Sequence, residues 1–113
     1  MNESFPFNPA SPYAVSKIAS FYLVKYYRNA YQMKISTGIS FNHESPLRHE
    51  TFITRKITKA VARIKLGMQS EIRVGNLYAK RDWGHAKDFV RAFWLINNQE
   101  NNNQEIKDYV IAT

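Results

Sequence analysis

The chain is 113 residues long, 44% hydrophobic and 22% charged, the size and composition of one small globular domain rather than a disordered segment. It has no cysteine, which excludes disulfide frameworks, thiolate metal sites and cysteine nucleophiles, and no apolar run approaches the roughly 18 residues of a membrane span. Sixteen Lys and Arg against nine Asp and Glu give +7, and residues 47–91, with eleven basic and four acidic groups, hold a surplus equal to the whole.

The opening MNESFPFNPASPY has no signal-peptide pattern, so a cytoplasmic chain without a metal site is expected. Three of the four prolines lie in these first residues, which read as an irregular lead-in. Ser11-Pro12 then marks a helix start, Ser at the N-cap and Pro at the first helical position. The helical pattern continues to about Tyr31, with Val15, Ile18, Ala19, Tyr22 and Tyr26 as its expected core face. Lys34 to Phe41 is short and β-branched and predicts a strand, and the polar, Pro46-containing stretch Asn42 to Glu50 predicts a loop.

A second helix is predicted over Phe52 to Leu66, stopped by Gly67 in the left-handed position after it. Ile53, Ile57, Ala60, Val61 and Ile64 form its apolar face, and Arg55, Lys56, Lys59 and Arg63 a basic flank. Glu71 to Val74 predicts a short strand, and a further extended piece reaches Trp83. A third helix is predicted from about Ala86 to Asn97, burying Phe89, Val90, Phe93 and Leu95 or Ile96. The tract NNQENNNQ at 97–104 predicts an exposed loop, and Asp108 to Thr113 a last strand. This alternation is α/β. With a helix beginning so early and an apolar strand closing the chain, it reads as a slice of a larger domain.

Tyr13 and Lys17 are four apart on the first helix and therefore share a face. A phenol at its reference pKa near 10 is a poor base at neutral pH, and an ammonium close by favours the phenolate. Such a pair suits proton removal from an alcohol whose hydride passes to a nicotinamide. On spacing alone, an exposed lysine beside a core aromatic is the preferred reading of the two residues. The basic surplus likewise admits a nucleic acid, an acidic lipid or a small phosphate-bearing ligand. Most aromatics fall at helical core positions and no RRM or helix-turn-helix pattern appears, so neither a nucleic-acid nor a membrane partner is expected.

The run Ser11-Pro12-Tyr13-Ala14-Val15-Ser16-Lys17 resembles the S-P-Y-x-x-S/A-K segment of extended short-chain dehydrogenases acting on nucleotide sugars. Phe41-Asn42-His43-Glu44-Ser45-Pro46, Thr51-Phe52-Ile53-Thr54-Arg55-Lys56-Ile57, Gly75-Asn76-Leu77, Lys80-Arg81-Asp82-Trp83-Gly84-His85-Ala86-Lys87-Asp88 and Asp108-Tyr109-Val110-Ile111-Ala112-Thr113 follow in order. Together they resemble the GDP-mannose 4,6-dehydratase family over essentially the whole chain. Related epimerases and glucose-type dehydratases share the Tyr-Lys pair but usually differ where this chain has Asn-His-Glu-Ser-Pro.

The resemblance implies a partial Rossmann-like fold lacking its N-terminal βαβ units. It divides residues 1–113 into a Tyr-Lys helix and following strand (about 12–41), a cofactor and substrate-binding stretch (about 42–83), and a helix with a terminal strand (about 86–113). It implies NADP as cofactor and GDP-mannose as substrate, with Tyr13 removing the proton of the mannose 4-hydroxyl and Lys17 holding the nicotinamide ribose. The positions matching His43 and Arg48 contact NADP; those matching Asn42, Thr54, Arg55, Lys56 and Arg81 serve the GDP side. Helix N-termini bind phosphate through free N–H groups, which suits Thr54 to Lys56. Plainer roles stand beside these: a backbone-satisfied loop histidine for His43, a solvated face for Lys59, Arg63 and Lys65, and an ion pair with Asp82 or Asp88 for Arg81. His49 stands where the family commonly has Gly.

The family's reaction yields GDP-4-keto-6-deoxymannose, toward GDP-fucose and other deoxyhexoses, and its complete enzymes are expected to be homo-oligomers, dimeric or tetrameric. It needs a glutamate acid/base and a nearby Thr or Ser, both N-terminal to the Tyr-Lys helix in such enzymes. The glycines at 38, 67, 75 and 84 fit no G-x-G-x-x-G spacing, so no dinucleotide loop is present either. The chain is thus expected to be a piece of an enzyme roughly three times longer, inactive alone. A non-catalytic remnant associating with intact subunits, or a piece of another dehydratase or epimerase of the superfamily, are the alternatives.

Overall fold

A computed structural model of the chain describes residues 2–99 and 106–113. Helix α1 spans Pro12–Tyr31, strand β1 Gly38–Ser40, β2 His43–Glu44, helix α2 Ile53–Lys65, β3 Gly84–His85, helix α3 Ala86–Gln99 and β4 Tyr109–Ile111. Two short parallel pairs form, β1 with β4 and β2 with β3. The class is α/β, as the sequence predicts.

Helix α1 starts where the capping chemistry places it: the Ser11 side chain accepts the Ala14 N–H at 3.1 Å and Pro12 opens the first turn. Its inward stripe differs from the expected one. Ala14, Ile18, Phe21, Val24 and Arg28 are half-buried, whereas Val15, Tyr22 and Tyr26 are exposed. The sequence offers apolar residues on both sides of this helix, so periodicity alone cannot choose the covered side. The covered side is that of β1 and the lead-in, where Phe7 meets Phe21 edge-to-face at 4.9 Å.

Helix α2 ends at Gly67 with φ +69°, the left-handed stop its sequence predicts. Of its apolar face only Ala60 is buried; Ile53, Ile57, Val61 and Ile64 are exposed. Helix α3 runs to Gln99, so residues 97–99 of the expected loop are helical; 100–104 lie outside the described residues. Phe89 is buried at 2% exposure, but Val90, Phe93 and Leu95 are exposed. Glu71–Val74 forms no strand, and the expected long strands shrink to three residues or fewer, because a strand needs a hydrogen-bonded neighbour. Conversely, the expected loop 42–50 contains β2, whose partner β3 is contributed by Gly84-His85, forty residues away in sequence by about that count.

Two glycines let α3 pack against the strands. A Cβ on Gly38 would clash with the edge of the Phe93 ring, and one on Gly84 with the edge of the Phe89 ring and the Thr113 methyl. Arg28 and Asp108 join α1 to β4: Arg28 Nη2 lies 2.5 Å from Asp108 Oδ1, the same oxygen accepts the Thr37 N–H at 2.9 Å, and Arg28 Nε donates to the Ile35 carbonyl at 2.8 Å.

The accessible surface is 9427 Å² where a folded monomer of this mass exposes about 6,400 Å². The radius of gyration is 18.4 Å where a compact domain of this length has about 13 Å. Ala60 and Phe89 are the buried hydrophobic residues among those described, so the chain holds half-covered faces rather than one closed core.

Candidate functional site around Tyr13 and Lys17

The start of α1 sets Tyr13 and Lys17 one turn apart, with the Lys17 ammonium 5.3 Å from the Tyr13 ring centroid. This is within cation–π range. The Tyr13 ring is 71% exposed. Lys17 also lines a cleft of about 610 Å³ between α1 and β1, walled by Ile18, Phe21, Val24 and Phe93 and floored by residues 37–40. His43 lines the same cleft, so the helix and the strand end bring together two residues twenty-six positions apart by about one strand and its connection.

The His43 ring is fixed on both counts that matter for its chemistry. It lies over Phe89, with centroids 4.6 Å apart, and its Nδ1 is 3.0 Å from the Phe41 carbonyl oxygen. A carbonyl only accepts, so Nδ1 carries the proton and a neutral His43 keeps its Nε2 lone pair. The plain reading and the functional one coexist here: the imidazole is satisfied by backbone and also borders the cleft.

The other candidates are dispersed. Arg48 is tied to Glu44, Nε to Oε2 at 3.0 Å, and lies over the Phe52 ring at 3.7 Å, so its guanidinium is held outside the Lys17–His43 cleft. Thr54 and Arg55 line a second cleft of about 480 Å³ with Glu44, Trp83 and His85. Lys56 instead borders a third of about 460 Å³ with Lys59, Arg63 and Arg73, and donates to the Arg73 carbonyl. Consecutive helical residues point about 100° apart, which is why three neighbours in sequence divide between two faces. Lys59 pairs with Glu50 and is not simply solvated. Asn42 bridges β1 and β2, its carbonyl accepting the Gly84 N–H at 3.1 Å. Arg81 is exposed and donates to the Lys80 carbonyl at 2.7 Å, and no ion pair to Asp82 or Asp88 forms among the described residues. Asp82 instead accepts from the Thr113 main-chain N–H at 3.3 Å and from its hydroxyl.

One side chain at the second cleft escaped the sequence reading. His85 precedes α3, and its Nδ1 accepts the Lys87 N–H at 3.1 Å, capping the helix as Ser or Asn commonly do. That bond requires Nδ1 unprotonated, so a neutral His85 carries its proton on Nε2. The signal was available: a polar residue directly before the periodic run Ala86–Ile96 is where a cap belongs.

The family model described as GDP-mannose 4,6 dehydratase matches residues 1–113. A GDP-mannose 4,6-dehydratase of Sinorhizobium fredii is 54% identical over 112 residues, 99% of this chain and 31% of the relative. The GDP-mannose 4,6 dehydratase 2 of Caenorhabditis elegans is 54% identical over 99% of this chain and 28% of the relative, and the Vibrio cholerae enzyme 50% over 98% and 29%. The chain thus spans about a third of the length of these curated relatives. Among solved structures, RMD from Pseudomonas aeruginosa complexed with NADPH matches at TM-score 0.85 and 24% identity, covering 99% of this chain and 38% of that one. A UDP-N-acetylglucosamine 4-epimerase from Methanobrevibacter ruminantium, in complex with UDP-N-acetylmuramic acid, matches at 0.77 and 22%, covering 99% and 35%. These two likenesses establish a shared Rossmann-like fold, of which this chain carries a part.

Proposed function

We propose that this chain, which belongs to the GDP-mannose 4,6-dehydratase family, supplies the proton-transfer pair for NADP-dependent conversion of GDP-mannose to GDP-4-keto-6-deoxymannose. The observation that carries the reading is the Tyr13–Lys17 pair on one face of α1, with Lys17 lining the α1–β1 cleft. Tyr13 Oη takes the proton of the sugar 4-hydroxyl, and the Lys17 ammonium fixes a ribose hydroxyl by charge-assisted hydrogen bonding. NADP, when bound, supplies the hydride acceptor at C4 and returns the hydride at C6.

The donor set suits the nicotinamide-ribose end of that cofactor: one ammonium and one oriented imidazole in a cleft whose walls are largely apolar. Arg48, held by Glu44 and Phe52, serves NADP only if that ion pair opens. On the substrate side, Thr54 and Arg55 share the second cleft with Glu44 and His85, and Asn42 adjoins it through its carbonyl's bond to the Gly84 N–H, while Lys56 is committed to Arg73. We assign Thr54 and Arg55 to the diphosphate side and keep Lys56 and Arg81 as outer basic groups that steer an anionic substrate.

The chain alone is inactive under this proposal. Tyr13 is open to water, whereas the hydride chemistry needs a closed site. The glutamate and the phosphate-binding loop required by the family also have no counterpart in these 113 residues. Purified chain incubated with NADP and GDP-mannose is expected to yield no 4-keto-6-deoxy sugar, and clear turnover would refute this. In the complete enzyme the outward face of α1, carrying Tyr22, Tyr26 and Tyr31, suits a homo-oligomeric contact, which light scattering over a concentration series tests.

A further inference from the structure

We propose that the Glu3 carboxylate is an edge guard: it occupies the outward main-chain donor of β4 and keeps a second copy of this chain from pairing with that strand. The register of the β1–β4 ladder fixes which donor that is. Tyr109 N–H bonds to the Thr37 carbonyl and Phe41 N–H to the Ile111 carbonyl, so residues 109 and 111 turn their main-chain groups toward β1. Val110, between them, turns its own N–H and carbonyl the other way. Among the described residues no strand lies on that side. The Val110 N–H is taken instead by Glu3 Oε1 at 2.8 Å, from a residue 107 positions earlier.

Local structure holds Glu3 in place for this contact. Asn2 Oδ1 accepts the Ser4 N–H at 3.2 Å and the Ser4 hydroxyl at 2.8 Å, and the Phe5 N–H bonds to the Asn2 carbonyl at 3.1 Å, so Glu3 stands at the tip of a closed turn. Just after that turn Phe7 meets Phe21 edge-to-face at 4.9 Å and Tyr22 at 6.4 Å, which ties the turn to α1. Hydrogen bonds from the Val110 N–H and from its own N–H hold the Glu3 carboxyl below the usual carboxylate range, so it is ionised near neutral pH. An ionised carboxylate only accepts: it satisfies one donor and offers none through which a ladder could continue. The strand itself is a pairing hazard, since Tyr109-Val110-Ile111 is aromatic and β-branched, with no charge and no proline. The excluded occupant is a second copy because the outward groups of Val110 complement themselves. About a two-fold axis two β4 strands run antiparallel, and residue 110 facing residue 110 exchanges both N–H···O bonds. The same axis brings two Glu3 carboxylates together, and their like charges oppose the pairing.

The test compares self-association of the 113-residue chain and its variants by sedimentation velocity over a concentration series, with amide exchange read at single residues. In the dilute wild-type chain the Val110 amide is expected to be protected although it lies on an unpaired edge. Glu3→Ala is expected to lose that protection when dilute and to associate about tenfold more tightly, the factor of one net main-chain hydrogen bond, with Val110 protected again as the dimer forms. Glu3→Gln keeps the acceptor and drops the charge, so it is expected to keep Val110 protected and to associate less tightly than Glu3→Ala. Adding Val110→Pro to Glu3→Ala removes only the outward donor, which an edge strand tolerates, and should return association to the wild-type level. Protection of the Tyr109 and Phe41 amides in each variant verifies an intact β1–β4 ladder. Contact through the tyrosines of α1 is common to all these chains and cancels in the comparison. An unprotected Val110 in the wild-type chain, association unchanged in Glu3→Ala, Glu3→Gln indistinguishable from Glu3→Ala, or association that survives Val110→Pro would each overturn the proposal.

Discussion

Asp108 and Arg28 are the residues whose exchange should cost this fold most for the least change in volume. Replacing Asp108 with Ala leaves the Arg28 guanidinium, whose side chain is 19% exposed, without its carboxylate and the Thr37 N–H without its acceptor. A hydrogen bond to a charged group contributes about 1.5–3 kcal/mol, and an uncompensated buried charge costs about 3–5 kcal/mol. Water reaches both side chains in part, which brings the expected loss to about 2–3 kcal/mol for Asp108→Ala. Asp108→Asn keeps one acceptor oxygen and should lose about half of that. Urea unfolding followed by far-UV circular dichroism measures both, and a cycle with Arg28→Met should return a coupling of about 1–2 kcal/mol. The pH dependence has a definite sign. Burial raises the Asp108 carboxyl pKa, but hydrogen bonds from Arg28 and Thr37, with the Arg28 charge, outweigh it and hold the group below its ordinary 3.8. Its contribution is therefore complete above that value and lost as pH falls through the lower folded one. A loss under about 0.5 kcal/mol with Asp108→Ala, or additive single variants, would refute the reasoning.

Three further outcomes are expected. Gly84→Ala drives a methyl group against the edge of the Phe89 ring and the Thr113 methyl and should destabilise by about 1–3 kcal/mol, read as a lower urea midpoint. His85→Ala should lose about 1 kcal/mol of helix capping while His85→Asn restores most of it, which amide exchange at Lys87 would report; equal protection in both variants would remove the cap assignment. In an assembled enzyme, Tyr13→Phe should abolish turnover of GDP-mannose while leaving its affinity nearly unchanged, since the substitution removes a proton acceptor on an exposed ring and little packing.

Local chemistry determined what the sequence by itself could determine. The Ser11-Pro12 start of α1, the Gly67 stop of α2 and the α/β alternation all depend on residues within a turn or two of one another. The Tyr13–Lys17 pairing is of the same kind, because helical spacing fixes it. What the tertiary structure decided were choices between locally equivalent options. Apolar residues on two sides of α1 left its buried side to be set by where β1 and Phe7 lie, and the covered stripe proved to be Ala14, Ile18, Phe21 and Val24. Strand existence was decided by partners distant in sequence, which is why Glu71–Val74 stayed unpaired while His43-Glu44 found Gly84-His85. The same holds for the site. Sequence put Thr54, Arg55 and Lys56 together, and helix geometry separated them. It left Arg48 free to bind a cofactor, and Glu44 with Phe52 claimed it. Nothing local announces the Arg28–Asp108 link or the β1–β4 pairing, since both are made by chain segments that meet only after folding.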